Sequence, residues 1–325
     1  MLKYIARRVL QVIPVFIGVT LVLFLLQAVV PGDPVKMITG ERAMSPALRL
    51  QIMKANNLDK PIAVQYVIYV NKLLHGDLGT SYQRGRAVKD MLGEKYPYTV
   101  KLAFAAILIE IIVGIAAGII SAVKQYSFLD VLVTLSTSVL VSVPVFWLGM
   151  LMQVFFGILL KQWSGGQIYM PISGAGGLSS NFPDWVYLVL PAITLASVST
   201  AYAARIMRSQ LLEIMGADYI RTARAKGLTA SGVIWKHALK NALIPVVTFI
   251  GLDLGAMLSG AILTETVFNY PGIGLEIYLA IGRRDWPVVM GGVVLVVVVV
   301  MVINLIVDVS YAFLDPRIRY GGAAE

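Results

Sequence analysis

Residues 221–245 read RTARAKGLTASGVIWKHALKNALIP, and this basic, glycine-containing segment lies between two strongly apolar parts of the chain. The apolar surroundings decide the fold class. Hydrophobic residues make up 58% of the 325 residues and charged residues only 14%, and the mean hydropathy is +0.79. Because about 20 apolar residues cross the hydrocarbon core of a bilayer, runs of this length predict an all-α protein that spans the membrane repeatedly.

Six apolar runs are long enough to cross a bilayer. We predict membrane spans at residues 9–30, 99–123, 129–160, 185–204, 244–267 and 288–313. The first run is too long for the apolar part of a signal peptide and has no small-x-small cleavage pattern after it, so we expect it to remain as the first helix. The chain has no evident internal repeat, which disfavours the transporters built from inverted repeats.

The spans divide the chain into three parts. Residues 1–30 form the N-terminus and first span, 31–98 a mostly polar segment, and 99–325 a core of five spans. The middle part contains ALRLQIMKANN and VQYVIYVNKLLHG, in which apolar residues recur at helical spacing. We therefore predict a small helical cap on the extracytoplasmic side.

Charge sets the predicted orientation. We call residues 205–243 the basic loop, because its basic side chains outnumber Glu213 and Asp218. Lys and Arg accumulate in cytoplasmic loops, so this loop and both termini are expected on the cytoplasmic side of a prokaryotic plasma membrane. The same rule accounts for the net charge of +9 without nucleic acid as a partner. Arg283 and Arg284 are an exception, because this topology places them outside.

The basic loop carries the pattern of a helix, a glycine turn and a second helix. Asp218 is placed to cap a helix over residues 219–226, and Gly227 stands where a left-handed C-terminal turn is needed. Thr229 or Ser231 can cap the second helix. On the first helix the small or apolar residues form one stripe, which predicts either a docking face for another protein or a helix lying on anionic lipid headgroups.

Several classes of activity are excluded by composition. The chain has no cysteine, which removes disulfides, thiolate metal sites and cysteine nucleophiles. Its two histidines, His75 and His237, are far apart and outside the spans, so an H-E-x-x-H zinc site is impossible. No G-x-S-x-G or G-x-x-x-x-G-K-[ST] pattern occurs either, so the chain has no serine elbow and no ATPase site of its own.

Two acidic residues, Glu110 and Asp253, fall near the middle of predicted spans. A charge at this depth is costly and needs a reason. Either the two line a substrate or ion pathway, or they are structural partners. The pathway alternative corresponds to a proton-coupled secondary transporter. GIAAG at 114–118 and GLDLG at 251–255 fit the G-x-x-x-G pattern and predict close packing between membrane helices.

The motifs together resemble a known family. DYIRTARAKGL followed by HALKNALIP is similar to the cytoplasmic coupling loop of ABC-importer permeases, in particular the first membrane subunit of peptide/nickel (oligopeptide/dipeptide) uptake systems. Arg221, Thr222 and Ala223 stand at the family's Glu-Ala-Ala positions and Gly227 at its glycine, whereas Ile244–Pro245 replaces Leu-Pro after a longer interval. The other motifs, in order, are PGDP (31–34), LDKP (58–61), GDLGTSY (76–82), ETVFNYPGIG (265–274) and DPRIRY (315–320).

The resemblance implies a six-helix permease of the type I ABC importer kind that carries peptides. It further implies a homologous second permease, two ATPase subunits or domains that use ATP and Mg, and an extracytoplasmic binding protein. Dipeptides, oligopeptides, nickel chelates, glutathione and oligosaccharides all stay open as cargo. Small side chains in the loop would allow close approach of the ATPase, and Arg221 or Arg224 would pair with its acidic groups. The coupling residues implied are Arg221, Thr222, Ala223, Arg224, Ala225, Lys226 and Gly227.

Overall fold

The structure, a computed structural model, describes residues 2–29, 33–39, 44–177 and 180–314. Within these ranges the chain is helical apart from its turns and loops, which confirms the all-α prediction. The helices are α1 Leu2–Val29, α2 Pro34–Thr39, α3 Pro46–Ala55, α4 Ile62–Leu74, α5 Val88–Ile109, α6 Ile115–Val123, α7 Phe128–Ser142, α8 Val145–Met152, α9 Leu160–Trp163, α10 Asp184–Met215, α11 Asp218–Ala225, α12 Ala230–Val233, α13 Leu239–Leu258, α14 Ile262–Val267, α15 Ile273–Gly282 and α16 Trp286–Leu314.

Short π-helical turns join some of these helices into longer rods. They are Glu110–Gly114 between α5 and α6, Gln153–Leu159 between α8 and α9, and Ile234–Ala238 between α12 and α13. Six rods are long and apolar enough to cross a membrane, as predicted. They are Leu10–Val29, Val88–Val123, Val145–Trp163, Asp184–Met215, Ala230–Leu258 and Trp286–Val307.

The rods alternate in direction, so the bundle has two ends. We call the end with the turns at 124–127 and 216–238 the loop end, and the end with α2 to α4 and residues 259–285 the cap end. The motif DPRIRY and the first two residues of PGDP lie outside the described residues.

The predicted limits of four spans need correction, including the fourth, whose helix continues past residue 204 to Met215. The second span starts at Val88, because the amphipathic turns before residue 99 continue the same helix. The third is interrupted after Ser142, where Pro144 cannot donate the backbone hydrogen bond that a continuous helix requires. The fifth ends at Leu258, since Gly260 adopts a left-handed φ of +104° and redirects the chain into α14.

The cap after the first span is helical, as predicted. Ser45 caps α3 by accepting a hydrogen bond from the Leu48 amide, 3.3 Å away. The hydroxyls of Thr20 and Tyr66 lie 3.0 Å apart, and the ring of Phe24 stacks on that of Tyr69. These contacts hold α4 against α1 at the cap end.

The two G-x-x-x-G segments are contact points between helices, which confirms their predicted packing role. A Cβ atom on Gly118 would lie 2.5 Å from Cβ of Met207 and 2.6 Å from the carbonyl oxygen of Ala204. A Cβ atom on Gly255 would lie 3.0 Å from Cγ2 of Ile303. Glycine therefore sets the close approach of α6 to α10 and of α13 to α16.

The motif ETVFNYPGIG folds around the buried carboxylate of Glu265. The Thr99 hydroxyl donates to Oε1 at 2.8 Å, and the Leu275 amide donates to Oε2 at 3.0 Å. The Ile273 amide donates to the Thr99 hydroxyl at 2.9 Å. A Cβ atom on Gly272 would come within 2.3 Å of the Glu265 Cδ, so glycine is required there. Glu265 thus fixes the tight turn that starts α15.

The motif GDLGTSY is fastened to the start of the last span. Asp285 is buried and accepts hydrogen bonds from the Ser81 hydroxyl and, at 3.0 Å, from the Tyr82 amide. Arg84 forms an ion pair of 2.9 Å with the buried Glu276. Hydrogen bonds and an ion pair therefore hold the segments of the cap end together, and Asp285 has a structural role there.

Candidate functional site

The basic loop folds as two short helices joined by a glycine turn. Gly227 has a φ of +80°, and its amide donates to the carbonyl of Arg224 at 2.9 Å. Thr229 caps α12 by accepting a hydrogen bond from the Gly232 amide at 3.2 Å. Both predicted turn features, the left-handed glycine and the Thr229 cap, are confirmed.

The predicted cap of α11 is wrong. Ala217 occupies the N-cap position without a side-chain hydrogen bond, and Asp218 is the first helical residue. Because α10 continues to Met215, only two residues connect it to α11, and Asp218 is already part of α11. There the negative charge of Asp218 interacts favourably with the helix N-terminus. Asp218 also forms an ion pair of 3.3 Å with Arg221, which is weak because both side chains are exposed.

The inner face of α11 packs on the chain's own bundle. Ile220 is fully buried and Ala223 is 6% exposed, and both join the core that includes Val233, Ala238 and Ala242. Little of the Ala223 side chain is therefore exposed to another protein in this arrangement. Its small side chain lets α11 lie close to the end of its own helix bundle.

The outer face of α11 and the turn that follows is open. Six of the seven coupling residues implied by the resemblance are exposed, and two large apolar side chains, Leu228 and Trp235, are exposed beside them. This combination offers both positive charge and apolar area to a partner. We call the following set the outer face of the basic loop: Arg221, Thr222, Arg224, Ala225, Lys226, Gly227, Leu228 and Trp235.

An ion pair between Arg208 and Asp130, which we call the clasp, lies next to the basic loop. The guanidinium of Arg208 donates to both carboxylate oxygens of Asp130, at 2.8 and 2.9 Å. Asp130 is almost fully buried and also accepts hydrogen bonds from the Ser121 hydroxyl and the Tyr126 amide. The clasp therefore ties the turn at 124–127 to the last part of α10, just before α11.

Glu110 and Asp253 come together in the middle of the bundle. Glu110 is fully buried in the π-helical turn between α5 and α6, and the carboxyl group of Asp253 lies beside it. Among the described residues, neither Glu110 oxygen nor Asp253 Oδ2 has a hydrogen-bond partner of good geometry. The pair is an internal contact between the second and fifth spans, in which Glu110 is buried and Asp253 is partly exposed.

Two family models match the chain. The model described as "Binding-protein-dependent transport system inner membrane component" matches residues 114–320, and its N-terminal companion, "Binding-prot-dependent transport system membrane comp, N-term", matches residues 1–103. The two matches together account for nearly the whole chain.

Curated proteins are similar over the same extent. The chain is 41% identical over 337 residues to the dipeptide transport system permease protein DppB of Escherichia coli (strain K12), covering 98% of this chain and 99% of that protein. It is 40% identical to the di/tripeptide transport system permease protein DppB of Pseudomonas aeruginosa, covering 98% and 99%. For the dipeptide permease DppB of Alkalihalophilus pseudofirmus the identity is 43%, covering 98% and 100%.

A solved structure has the same fold. A chain of the inward-facing MetNI methionine ABC transporter aligns with a TM-score of 0.52 at 19% sequence identity. The alignment covers 69% of this chain and 96% of that one. At this identity the likeness establishes the arrangement of helices.

Proposed function

Because this chain belongs to the family of binding-protein-dependent transport system inner membrane components, we propose that it is one membrane subunit of an ATP-driven importer of short peptides. The observation that carries this proposal is the 41% identity, over 98% of the chain, to a protein named as a dipeptide permease. A second relative is named for di- and tripeptides. Peptides are accordingly the cargo that we propose, without a fixed length.

The energy comes from a separate subunit. The chain lacks the phosphate-binding pattern G-x-x-x-x-G-K-[ST], so ATP and Mg are used by partner ATPase subunits. In this proposal the ATPase docks on the outer face of the basic loop. Arg221, Arg224 and Lys226 supply positive charge, and Leu228 and Trp235 supply apolar contact area.

The inner face of α11 transmits the movement. Ile220 and Ala223 belong to the same buried core as residues of α10 and α13, and α11 lies against α12 and the π-helical turn Ile234–Ala238. A displacement of α11 must therefore displace these elements or open the core that they share. The Arg208–Asp130 clasp extends the coupled body to the turn before α7. Ala223 is thus a coupling residue that acts through packing within its own chain.

Other partners follow from the faces of the bundle. A homologous second permease completes the translocation path, and membrane lipid covers the remaining apolar surface. The binding protein delivers peptide to the cap end, which lies outside the cell, while the loop end and both termini lie in the cytoplasm. The basic side chains of the loop end support this orientation.

The Glu110–Asp253 pair has a place in the same proposal. Glu110 is enclosed by helices in this conformation and Asp253 is partly exposed, so a separation of the second and fifth spans during transport would open the pair further to the translocation path. The comparisons give no support to the alternative of a proton-coupled transporter. We therefore assign the pair to the moving interior of an ATP-driven permease.

Reconstitution tests the proposed function. Proteoliposomes that contain the complete importer are loaded with ATP, supplied with the binding protein outside, and assayed for uptake of a labelled dipeptide. We expect uptake that stops when ATP is replaced by a non-hydrolysable analogue and continues when a protonophore removes the proton gradient. Uptake that needs the gradient and ignores ATP would refute the proposal.

A further inference from the structure

A lysine stands unpaired at the cap end of the second span. Lys101 immediately precedes the apolar run 102–123, and its side chain is exposed. Its ammonium group lies over the ring of Tyr98, whose centroid is 5.6 Å from Nζ. In the described part of the chain no carboxylate oxygen lies within 4.0 Å of this ammonium group. A cation at the membrane boundary favours an anionic or polar partner, and no described residue supplies an anionic one.

Lys101 lines a small cavity with walls from separate parts of the chain. The cavity has a volume of about 280 Å³, and the rings of Tyr98 and Tyr270 meet edge to face there with centroids 6.0 Å apart. Trp185 and Asp184, at the start of α10, form another side. We call this cavity the entrance site.

The loop before α10 closes the remaining side of the entrance site. Gly177 donates its amide to Asp184 Oδ1 at 3.0 Å. Gly176 has a φ of +85°, and a Cβ atom there would lie 2.2 Å from the same oxygen. The wall therefore depends on Gly177, which Asp184 holds by a hydrogen bond, and on Gly176, whose missing side chain leaves room for that carboxylate. Such a closed wall distinguishes the cavity from the bare, lipid-facing side of a helix.

The chemistry of this cavity fits the end of a peptide. A lysine ammonium pairs with a carboxylate, and the aromatic rings provide apolar contact area next to it. Lys101 supplies the cation, Tyr98, Tyr270 and Trp185 supply the rings, and Asp184 keeps one oxygen free of hydrogen bonds to described residues, open to an ammonium group. A zwitterionic peptide carries the partners of both charged groups, a carboxylate and an ammonium group, on one molecule.

We propose that the entrance site receives the incoming peptide at the cap end and that Lys101 binds its C-terminal α-carboxylate. This inference rests on the proposed function. The volume of about 280 Å³ lies just below the range of roughly 300–1,000 Å³ that is usual for ligand pockets. The site is therefore one half of a transient binding place, whose opposite wall is the second membrane subunit.

Paired peptides test the role of Lys101. Uptake of a peptide with a free C-terminus and of its C-terminal amide is measured with the complete importer, for the wild type and for Lys101→Met. Because the binding protein is the same in all variants, its own preference cancels when the two uptake ratios are compared. We expect Lys101→Met to lower uptake of the free acid by roughly tenfold, the usual weight of a charged hydrogen bond, and to leave the amide unchanged.

Two control variants define the outcomes. Lys101→Arg keeps the charge and should keep the preference for the free acid. Lys89→Met, on the same helix but outside the cavity, should leave the ratio of free-acid uptake to amide uptake at the wild-type value. ATP hydrolysis by each purified complex shows that it has assembled.

The proposal is overturned if Lys101→Met lowers both peptides equally, which would mean a structural contact with the second subunit, or if it changes neither. It is also overturned if the loss follows the anionic lipid content of the vesicles for both peptides, which would identify a lipid headgroup as the partner of Lys101. A wild-type importer that carries neither peptide would instead refute the proposed function itself.

Discussion

Replacement of Gly227 tests how the basic loop is built. Its φ of +80° lies in the left-handed region, and a Cβ atom added there would meet no other atom within 4 Å. The cost of Gly227→Val is therefore a backbone cost, roughly 1–2 kcal/mol for an L-residue in this conformation. Asparagine tolerates the same conformation better, so Gly227→Asn is the matched control.

The cost falls on the turn and not on the whole fold. The turn is exposed, and its hydrogen bonds, such as that from Gly227 to Arg224, are local. A penalty of about 1–2 kcal/mol lowers the population of the native turn relative to other conformations by about 5- to 30-fold. If the turn must be formed to grip the ATPase, peptide uptake per ATP hydrolysed should fall by up to this factor.

The assay is the ratio of peptide uptake to ATP hydrolysis in proteoliposomes. We expect Gly227→Val to lower this ratio strongly and Gly227→Asn to lower it little, with both proteins present in the membrane at wild-type amounts. Full coupling in Gly227→Val would refute the reasoning. Equal losses in both variants would also refute it, because they would show that a partner's close approach, and not the left-handed backbone, requires glycine here.

Three further predictions concern stability and pH. Arg208→Met should lower the free energy of unfolding by about 1–3 kcal/mol, because it leaves the Asp130 carboxylate buried without its cation. In a thermal melt, the double variant with Asp130→Asn should regain part of this loss. Gly118→Ala should cost about 1–3 kcal/mol by overpacking α6 against α10. Gly93→Ala, inside α5, meets no atom within 4 Å and should not destabilise in the same assay, because alanine favours a helix over glycine by about 0.5–1 kcal/mol. A hydrogen bond from Arg49 of α3 lowers the pKa of Asp33 below its usual value. The contribution of this ion pair to the packing of α2 on α3 should therefore be present above about pH 4 and be lost as the pH falls through the lower pKa of the folded state. Hydrogen exchange of α2 and α3 should show this acid dependence in the wild type and not in Asp33→Asn.

The features that depend on a few neighbouring residues could be predicted from the sequence. Gly227 adopts a left-handed turn and Thr229 caps α12 because only four residues separate the end of α11 from the start of α12. The long apolar runs likewise fixed the number of spans. The limits of the spans were less certain, because hydropathy does not register the breaks at Pro144 and Gly260.

The features that depend on the rotation of helices could not be predicted. Periodicity identified the stripe of α11 that contains Ala223, but it could not show that this stripe faces the chain's own core. Glu110 and Asp253 were recognisable as membrane acids, yet their contact depends on how two spans face each other. Asp130 and Arg208 are 78 positions apart, and neither has a sequence signature for the other.

Cross-linking tests the central claim, that the outer face of the basic loop is where the ATPase docks. The chain has no cysteine, so Arg224→Cys, Lys226→Cys and the cap-end control Gln83→Cys each carry a single label, a photoactivatable maleimide, in an importer that is transporting peptide. We predict that both loop positions capture the ATPase subunit and that position 83 does not. Capture of the ATPase subunit at position 83, or no capture of it from either loop position in a transporting complex, would contradict the account.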